Sequence, residues 1–338
     1  MATVTGPTAS TGSAVVGGLY GVGLVDCTND LAALESSGRW AVVQTFEGEL
    51  TCARFAEWRD EVPAGAPWAG PERTAWRSSL DEAAYVAGVG RIRDEIAAGE
   101  VYQVNLCRVL SAPFASPSGM YDLHRALATG NPAPYAAYVD VPQAGVHVVS
   151  ASPELFLWRA GDVVESGPIK GTGRTAADLT DKDVAENVMI VDLVRNDLSR
   201  VADPDSVDVP ALLRVEAHPG LVHLVSTVRA RLRPGCGWAD LLAATSPPGS
   251  VSGAPKSSAL RIIGSLEPVP REVYCGAVGW VDADTGEGVL AVGIRTFWWR
   301  DGMLCFGTGA GITWGSDAAA EWAETELKAA HLLDIAST

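Results

Sequence analysis

Apolar residues recur at helical spacing in five stretches of the chain. Residues 80–98 show this spacing and stop at Gly99, which predicts an amphipathic helix. A longer helix is predicted from Thr180, a good N-cap residue followed by acidic residues, to about Leu198. The remaining helices are predicted at residues 120–129, from Lys256 to about Leu266, and at residues 316–333.

Short apolar runs rich in β-branched residues, separated by glycine and polar turns, predict strands in the rest of the chain. Between residues 14 and 55 they predict local hairpins. The other predicted strands are residues 101–106, 154–158, 163–165, 221–232, 274–281, 288–298 and 303–312, and residues 135–150 are a mostly apolar, β-rich run. Because the helices alternate irregularly with antiparallel hairpins, and not in a regular βαβ repeat, the predicted fold class is α+β.

Three regions are predicted along the chain. Residues 1–14 are rich in Thr, Ser, Gly and Ala and predict a disordered lead. Residues 61–80 carry three prolines and two tryptophans and predict an irregular connector. This connector separates a small N-terminal β portion, residues 15–75, from the main body, residues 76–338, on which it is expected to pack.

Composition and charge restrict the classes of function. The 338 residues carry a net charge of −16, which argues against non-specific binding to nucleic acid or to an anionic membrane. No apolar run approaches the roughly 20 residues that span a bilayer, and no signal-peptide pattern begins the sequence, so we expect a cytoplasmic protein. The six cysteines have no paired spacing that indicates zinc or a disulfide framework. An anionic ligand would therefore need positive charge or a metal within its own site.

A single lysine lies in a glycine-rich segment directly after a predicted hairpin. Lys170 stands between Pro168 and the glycines Gly171 and Gly173. Glycine allows close approach of the backbone, and proline reduces the flexibility of the segment. This lysine can therefore lie deep in a cleft. A desolvated amine there is a candidate nucleophile. The same pattern is also typical of a solvated lysine in a surface loop.

Two predicted helices each carry a pair of acidic residues three positions apart. Asp183 and Glu186 share one helix face, and Glu321 and Glu324 share another. Two such pairs could clamp one divalent cation, and a site made only of oxygen ligands suits magnesium. Acidic residues on helix surfaces are also ordinary solvated residues, so both interpretations stay open.

Three features are suited to an anion. Residues 247–256 form a loop that opens a helix, which offers backbone N–H groups. The last predicted strand ends in residues 307–311, where glycines would expose further amides. Arg295 interrupts an apolar strand, and a buried arginine needs an acidic partner that a ligand carboxylate could supply.

Ten segments together resemble the chorismate-utilising enzymes, and most closely their aminodeoxychorismate branch. They occur in the family's order and read YQVNL (102–106), SASPELF (150–156), PIKGT (168–172), DVAENVMIVDLVRNDLSRV (183–201), HLVSTV (223–228), GSVSGAPK (249–256), YCGAVG (274–279), GIRTF (293–297), GAG (309–311) and EWAETELK (321–328). The resemblance implies two large antiparallel sheets packed as a sandwich with flanking helices. It also implies a catalytic cleft for chorismate within residues 76–338.

The resemblance implies magnesium-dependent amination of chorismate. Relatives that add water at C2 carry a lysine base where this chain has Gln103, and anthranilate synthases typically read P-I-A-G-T where this chain reads PIKGT. In the aminodeoxychorismate branch this lysine attacks C2 as the C4 hydroxyl leaves, and ammonia then adds at C4, which implies a nucleophilic Lys170. Amination at C2, by an anthranilate synthase component I or a 2-amino-2-deoxyisochorismate synthase, is the alternative. A non-catalytic regulatory subunit that binds chorismate or tryptophan is an alternative of another class.

Matching positions imply roles for individual residues. Glu154 would protonate the departing hydroxyl, and His223 matches a histidine linked to pyruvate elimination in the anthranilate branch. Glu186 and Glu324 would hold magnesium, with Asp183 and Glu321 acting through water. The implied substrate-binding residues are Gln103, Gly171, Thr172, Lys256, Tyr274, Arg295, Gly309, Ala310 and Gly311.

The resemblance also implies partners. No cysteine lies in the G-x-C-x-G context of an amidotransferase nucleophile, so ammonia is expected from a separate glutamine amidotransferase subunit. The product would pass to a PLP-dependent aminodeoxychorismate lyase, for 4-aminobenzoate and folate, or to an aminodeoxychorismate mutase, for a secondary metabolite. Family members are usually longer, so the N-terminal region here is abbreviated, although residues 34–36 resemble the element that helps line a tryptophan pocket.

Overall fold

The computed structural model describes residues 10–173, 175–218 and 221–338. Six α-helices occur in these residues: α1 (Glu82–Ala97), α2 (Met120–Gly130), α3 (Asp181–Ser199), α4 (Trp238–Thr245), α5 (Lys256–Leu266) and α6 (Ala318–Ile335). The five predicted helices are confirmed to within about two residues, and α4 is an addition to them. None of the helices in the described ranges is long and apolar enough to cross a membrane.

The strands are numbered in chain order. They are β1 (Ser10–Val16), β2 (Leu19–Thr28), β3 (Arg39–Gln44), β4 (Leu50–Arg59), β5 (Arg77–Ser78), β6 (Gln103–Pro113), β7 (Tyr135–Val141), β8 (Val146–Ser152), β9 (Leu155–Ala160), β10 (Val163–Gly167), β11 (Ile169–Gly173), β12 (Asp208–His218), β13 (Leu221–Arg231), β14 (Gly253–Ala254), β15 (Ala277–Asp282), β16 (Gly288–Val292), β17 (Thr296–Arg300) and β18 (Met303–Ile312).

Antiparallel pairing joins these strands into one continuous network. From β6, which also pairs with the short strands β5 and β14, the order is β18, β17, β8, β7, β1, β2, β4, β3, β15, β16, β9, β10, β13 and β12. β11 also pairs with β13. The α+β class with a large antiparallel sheet structure and flanking helices is therefore confirmed.

The main hydrophobic core lies between the two halves of this network. Val139 on β7 and Val148 on β8 belong to one half, and Trp40 on β3, Val278 on β15 and Leu290 on β16 belong to the other. All five side chains are buried in one cluster. The network is therefore folded over on itself, so that its halves face each other across a shared core as in a sandwich.

Helix α3 carries several of the predicted site residues and has a well-defined start. The Thr180 hydroxyl donates to the Asp183 carboxylate at 2.7 Å, and the main-chain N–H of Thr180 donates to the same oxygen at 2.8 Å. The Asp183 N–H in turn reaches the Thr180 hydroxyl, which completes a capping box. The predicted N-cap is confirmed, and the Asp183 carboxylate is engaged in it.

The predicted strand at residues 288–298 is wrong in one respect, because it is two strands. β16 ends at Val292 and β17 begins at Thr296. β16 pairs with β9 and β15, whereas β17 pairs with β8 and β18, so the chain crosses here from one half of the network to the other. Arg295 lies in this crossing with a left-handed φ of 51°, which a continuous strand would not allow.

The N-terminal predictions also need correction. Residues 10–14 are not a disordered lead, because β1 pairs with both β2 and β7. Residues 1–9 lie outside the described part of the chain. The four N-terminal strands belong to the same hydrogen-bonded network as the rest, through the β1–β7 pairing and the β3–β15 pairing.

Candidate active site

Lys170 lies on a strand with a largely buried side chain, so the surface-loop interpretation is wrong. Its segment is a strand, β11, and its side chain is only 13% exposed. The amine Nζ donates to the main-chain oxygen of Ser250 at 3.0 Å and lies 3.9 Å from a Glu186 carboxylate oxygen. Gly171 has a φ of +81°, and a Cβ there would lie 2.8 Å from the Cβ of Asp183, so glycine allows β11 to lie against α3.

Glu154 is a buried carboxyl group close to Lys170. It is 4% exposed and precedes β9, and its main-chain oxygen accepts from the N–H of Val292 at 3.0 Å. Burial raises the pKa of Glu154 to about 7, against the opposing effects of a Ser250 hydroxyl hydrogen bond, the Lys170 charge and the Ile169 N–H. A carboxyl group with this pKa is partly protonated near neutral pH and can act as a general acid.

Ser250 connects these two residues and was missed by the sequence analysis. Its main-chain oxygen accepts from Lys170, and its side chain bonds to Glu154. It lies in a short 3-10 turn, Gly249–Val251, that precedes β14 and α5. The glycine-rich segment 247–256 was interpreted as an anion loop, and only the fold shows that Ser250 faces the lysine and the acid.

Lys256 is held inside the protein. Its Nζ donates to Asp197 Oδ2 at 2.6 Å and to the main-chain oxygen of Thr245 at 2.9 Å. Burial lowers the pKa of Lys256, and the adjacent Asp197 carboxylate opposes that shift. The charge of Lys256 is therefore already balanced by Asp197, which argues against the predicted contact of this residue with substrate.

The structure brings two of the four predicted metal ligands together around an ammonium group. Lys182 Nζ lies 2.9 Å from Glu321 Oε1 and 3.7 Å from Glu186 Oε1. Burial raises the pKa of Glu186, Lys170 and Lys182 oppose the shift, and the charges of Glu321 and Glu324 add to it. Of the other two, Asp183 caps α3, and the half-exposed Glu324 pairs with Lys328 at 2.5 Å.

The described residues hold no group of three or more His, Cys, Asp or Glu side chains arranged to bind a metal. One observation nevertheless fits a cation. Glu321 is 3% exposed, and its Oε2 has no hydrogen-bond partner among the described residues. A buried carboxylate oxygen without a partner is costly, and a metal ion would satisfy it.

Arg295 is a half-buried cation without a partner among the described residues. Its guanidinium forms no hydrogen bond or ion pair with the described part of the chain, and burial lowers its pKa. An unpaired, desolvated guanidinium is well suited to a carboxylate, which it can bind through two N–H groups. That Arg295 holds a ligand carboxylate therefore stays a prediction. It is supported by the half-buried guanidinium, which has no partner in the described residues.

The glycines near the end of β18 are placed differently from the prediction. Gly309, Ala310 and Gly311 are not a free strand end, because β18 continues to Ile312 and pairs with β6 throughout. A Cβ at Gly311 would lie 2.1 Å from Gln103 Nε2 and 3.6 Å from Glu186 Oε2. Gly311 thus lies between these two side chains, and Gln103 Oε1 is itself buried without a partner in the described residues.

The remaining predicted residues are buried or incompletely described. Tyr274 is buried in the main core, with its ring against Gly307, where a Cβ would lie 2.0 Å away; burial raises its pKa. His223 is buried on β13, opposite Thr172 and Glu216 in the strand register. The side chain of Thr172 lies outside the described part of the structure.

Comparison with known proteins places these features in a family. Residues 39–334 match the family described as chorismate binding enzyme. The anthranilate synthase component 1 of Streptomyces coelicolor is 43% identical over 271 residues, which are 76% of this chain and 52% of that protein. The aminodeoxychorismate synthase component 1 of Klebsiella aerogenes is 39% identical over 273 residues, which are 77% of this chain and 59% of that protein. The chain thus spans little more than half of the length of these curated relatives.

The fold also resembles solved structures. The menaquinone-specific isochorismate synthase of Escherichia coli superposes with a TM-score of 0.82, covering 98% of this chain and 90% of that chain. The two sequences are only 19% identical, so this likeness shows the fold alone.

Proposed function

The chain belongs to the chorismate binding enzyme family, and from this premise we propose that it is the component I of an aminodeoxychorismate synthase. It would convert chorismate and ammonia into 4-amino-4-deoxychorismate. The observation that carries the proposal is the placement of the Lys170 amine and the Glu154 carboxyl group on either side of Ser250. The proposed nucleophile and the proposed general acid are thereby held close to each other.

In the proposed reaction, Lys170 and Glu154 act at opposite ends of the diene. The Lys170 amine gives a proton to solvent and forms a bond to C2, both double bonds shift towards C4, and the C4–O bond breaks. Glu154 gives its proton to the departing hydroxyl, which leaves as water. Ammonia then bonds to C4, the double bonds shift back, and the C2–N bond to Lys170 breaks. Excess protons on nitrogen return to the Glu154 carboxylate and to solvent.

The two substrate carboxylates would be bound by Arg295 and by a magnesium ion held in the site. Arg295 would take one substrate carboxylate, because its guanidinium has no partner in the described residues. Glu186 and Glu321 are the residues that would hold magnesium, together with Glu324 if it exchanges Lys328 for the metal. Bound there, magnesium would neutralise a second substrate carboxylate and orient the ring.

Amination at C2 is the second candidate. It is favoured by one specific observation, the 43% identity to a protein named anthranilate synthase component 1, compared with 39% for the relative named aminodeoxychorismate synthase component 1. We prefer C4 because Lys170 replaces the alanine typical of anthranilate synthases and points to Glu154 through Ser250. A catalytic role is favoured over a purely regulatory one by the buried Glu154 carboxyl group with its raised pKa beside Ser250 and Lys170.

The source of ammonia is a proposal as well. The relatives are named component 1, which implies a second component. We propose a separate glutamine amidotransferase, with the product consumed by an aminodeoxychorismate lyase or mutase. Because the chain spans only 52% and 59% of the two relatives, a productive complex with such a partner has to be tested directly.

Product analysis tests the proposal. The purified chain is incubated with chorismate, magnesium and an ammonium salt, with and without an aminodeoxychorismate lyase. We expect 4-aminobenzoate only when the lyase is present, and a loss of at least about a hundredfold in rate for Lys170→Ala. Arg195→Ala, which removes an exposed ion pair with Asp192 on α3, is the matched control and should retain full activity. Anthranilate formed without the lyase would overturn the C4 assignment, and a fully active Lys170→Ala variant would remove the covalent role of Lys170.

A further inference from the structure

Lysine is confined to one part of this molecule. The chain holds 25 basic residues of the Lys and Arg types, and only four are lysine: Lys170, Lys182, Lys256 and Lys328. Each of the four Nζ atoms lies within 4 Å of a carboxylate carried by α3 or α6. Arginine supplies the other basic positions and most of the exposed ion pairs. Compact ammonium groups are therefore present only beside carboxylates of these two helices.

Lys182 has the least expected position of the four. It follows the N-cap Thr180 by two residues and so lies in the first turn of α3. The N-terminus of a helix carries partial positive charge, so a lysine there is unfavourable for the helix itself. Its position is explained by the acidic side chains that it faces. The ion pair to Glu321 joins the start of α3 to the first turn of α6.

The ammonium group of Lys182 lies beside two carboxylates, Glu321 and Glu186, whose negative charge it partly neutralises. It is 2.9 Å from one oxygen of Glu321 and 3.7 Å from one oxygen of Glu186. The second Glu321 oxygen is buried and has no partner among the described residues, so Lys182 satisfies only half of that carboxylate. Magnesium prefers six oxygen ligands at short distance, and it cannot bind both carboxylates while an ammonium group stands between them.

We propose that Lys182 is a built-in counter-cation that holds Glu186 and Glu321 together in the metal-free protein and leaves them when a divalent cation binds. This inference rests on the proposed magnesium site and adds a residue that sets its affinity. Lys182 makes the binding-competent arrangement a minor state, so the apparent affinity for metal is reduced by the fraction of molecules in which the ammonium group has left. The Lys182–Glu321 ion pair also allows α3 and α6 to pack against each other in the absence of metal.

Substitution of Lys182 tests both halves of the inference in the full chain. Lys182→Met keeps the length of the side chain and removes its charge. We expect its dissociation constant for magnesium, measured calorimetrically without substrate, to fall at least about tenfold. We also expect its melting temperature in EDTA to fall by several degrees, because a buried carboxylate loses its partner, and to recover when magnesium is added.

Two further variants make the result specific. Lys182→Arg keeps the positive charge and should not bind magnesium more tightly than the wild type. Arg195→Ala removes an exposed ion pair of the same helix and should change neither measurement. A Lys182→Met protein with unchanged or weaker magnesium affinity would overturn the inference. If magnesium binds neither protein the inference also fails, whereas formation of the 4-amino product under those conditions would leave the proposed amination standing.

Discussion

At the scale of single residues, burial decides the chemistry of the site. Glu154 and Arg295 are ordinary ionisable side chains that the fold has largely removed from water. For Glu154 the consequence is a carboxyl group that keeps its proton up to about neutral pH. For Arg295 it is a cation whose only available partner is a ligand, as far as the described residues extend. Both properties would favour the proposed reaction at a cost in stability.

The raised pKa of Glu154 predicts a pH-dependent stability difference. Between the ordinary value of 4.5 and about 7, the folded chain binds more protons at this residue than the unfolded chain does. The free energy of unfolding therefore falls as pH rises through that window. Glu154→Gln lacks this titratable group. Its free energy of unfolding minus that of the wild type should therefore increase by on the order of 1–3 kcal/mol from pH 5 to pH 8. Urea unfolding at both pH values measures this, and a constant difference would contradict the raised pKa.

Catalysis should depend on the same proton and in the same direction. In the proposed reaction the acid form of Glu154 protonates the departing hydroxyl, so kcat with ammonia should decline above about pH 7 in the wild type. Because free ammonia becomes scarcer below its own pKa, the rates are compared at constant free ammonia. Glu154→Gln should lose at least about a hundredfold in kcat and show no decline in this range. A variant with wild-type kcat would exclude the acid role.

Arg295→Gln should separate binding from stability. Removing an unpaired, half-buried guanidinium relieves a desolvation cost, so the melting temperature should stay the same or rise. The loss of a bidentate partner should raise the KM for chorismate about tenfold or more. Arg229→Gln, which breaks an exposed pair with Glu165 on a neighbouring strand, serves as the control and should leave KM unchanged. A lower melting temperature with unchanged KM would mean that Arg295 serves the fold alone.

At the scale of elements, α3 organises the site through both of its ends. Its first turn meets α6 through the Lys182–Glu321 pair, and its last turns hold Lys256 through Asp197. Lys256 also binds the main-chain oxygen of Thr245 at the end of α4, so it fixes both ends of the segment that carries Ser250. Ser250 in turn touches Lys170 and Glu154. The Asp197–Lys256 pair therefore supports the geometry of the site without touching the reacting groups.

A double-mutant cycle tests this support. Lys256→Met alone leaves the buried Asp197 with only the exposed Arg200, 3.9 Å away, as an ion-pair partner, which should cost about 3–5 kcal/mol of stability. The double variant Asp197→Leu with Lys256→Met removes both charges and should recover most of that loss. If the pair positions Ser250, the double variant should fold well and still show a shifted pH profile of kcat, because the environment of Glu154 has changed. A stable double variant with the wild-type pH profile would restrict the pair to a structural role.

At the scale of the whole molecule, a single antiparallel network is folded into two facing halves. β1 is the strand that links β7 in one half to β2 in the other. Further along the chain, residues 293–295 cross between the halves in the other direction and leave Arg295 at the crossing. The site thus depends on elements that are far apart in sequence and brought together only by closure of the network.

The linking role of β1 predicts a large effect from a small change. Val16 on β1 is buried, and Val16→Ala removes two methyl groups from the shared core, which should cost about 2 kcal/mol. Val25→Ala on the adjacent β2 makes the same chemical change at an exposed position and should cost much less. Chemical denaturation of both variants measures the contrast. Equal stabilities would mean that β1 contributes little to the closure of the network.

The sequence by itself determined what depends on neighbours a few residues away. The helices were predictable because their apolar spacing and the Thr180 cap are local signals, and Lys170, Glu154 and Glu186 were found through motifs that resemble those of a family. It could not separate β16 from β17, because an apolar run looks the same whether it continues in one sheet half or crosses to the other. It also mistook β1 for a lead, since a strand rich in small polar residues is recognised only by its partners.

Only the tertiary structure shows which charged and polar groups form ion pairs and hydrogen bonds with each other. Lys256 was expected to face substrate and is paired with Asp197, while Lys182 and Ser250 carried no signal in the sequence and lie at the centre of the site. The physical reason is the short range of these interactions. An ion pair or hydrogen bond forms over about 3–4 Å, and its partners here come from strands and helices up to 139 positions apart. Which of them come within that distance is settled by the closure of the sheet network and the packing of α3 against α6.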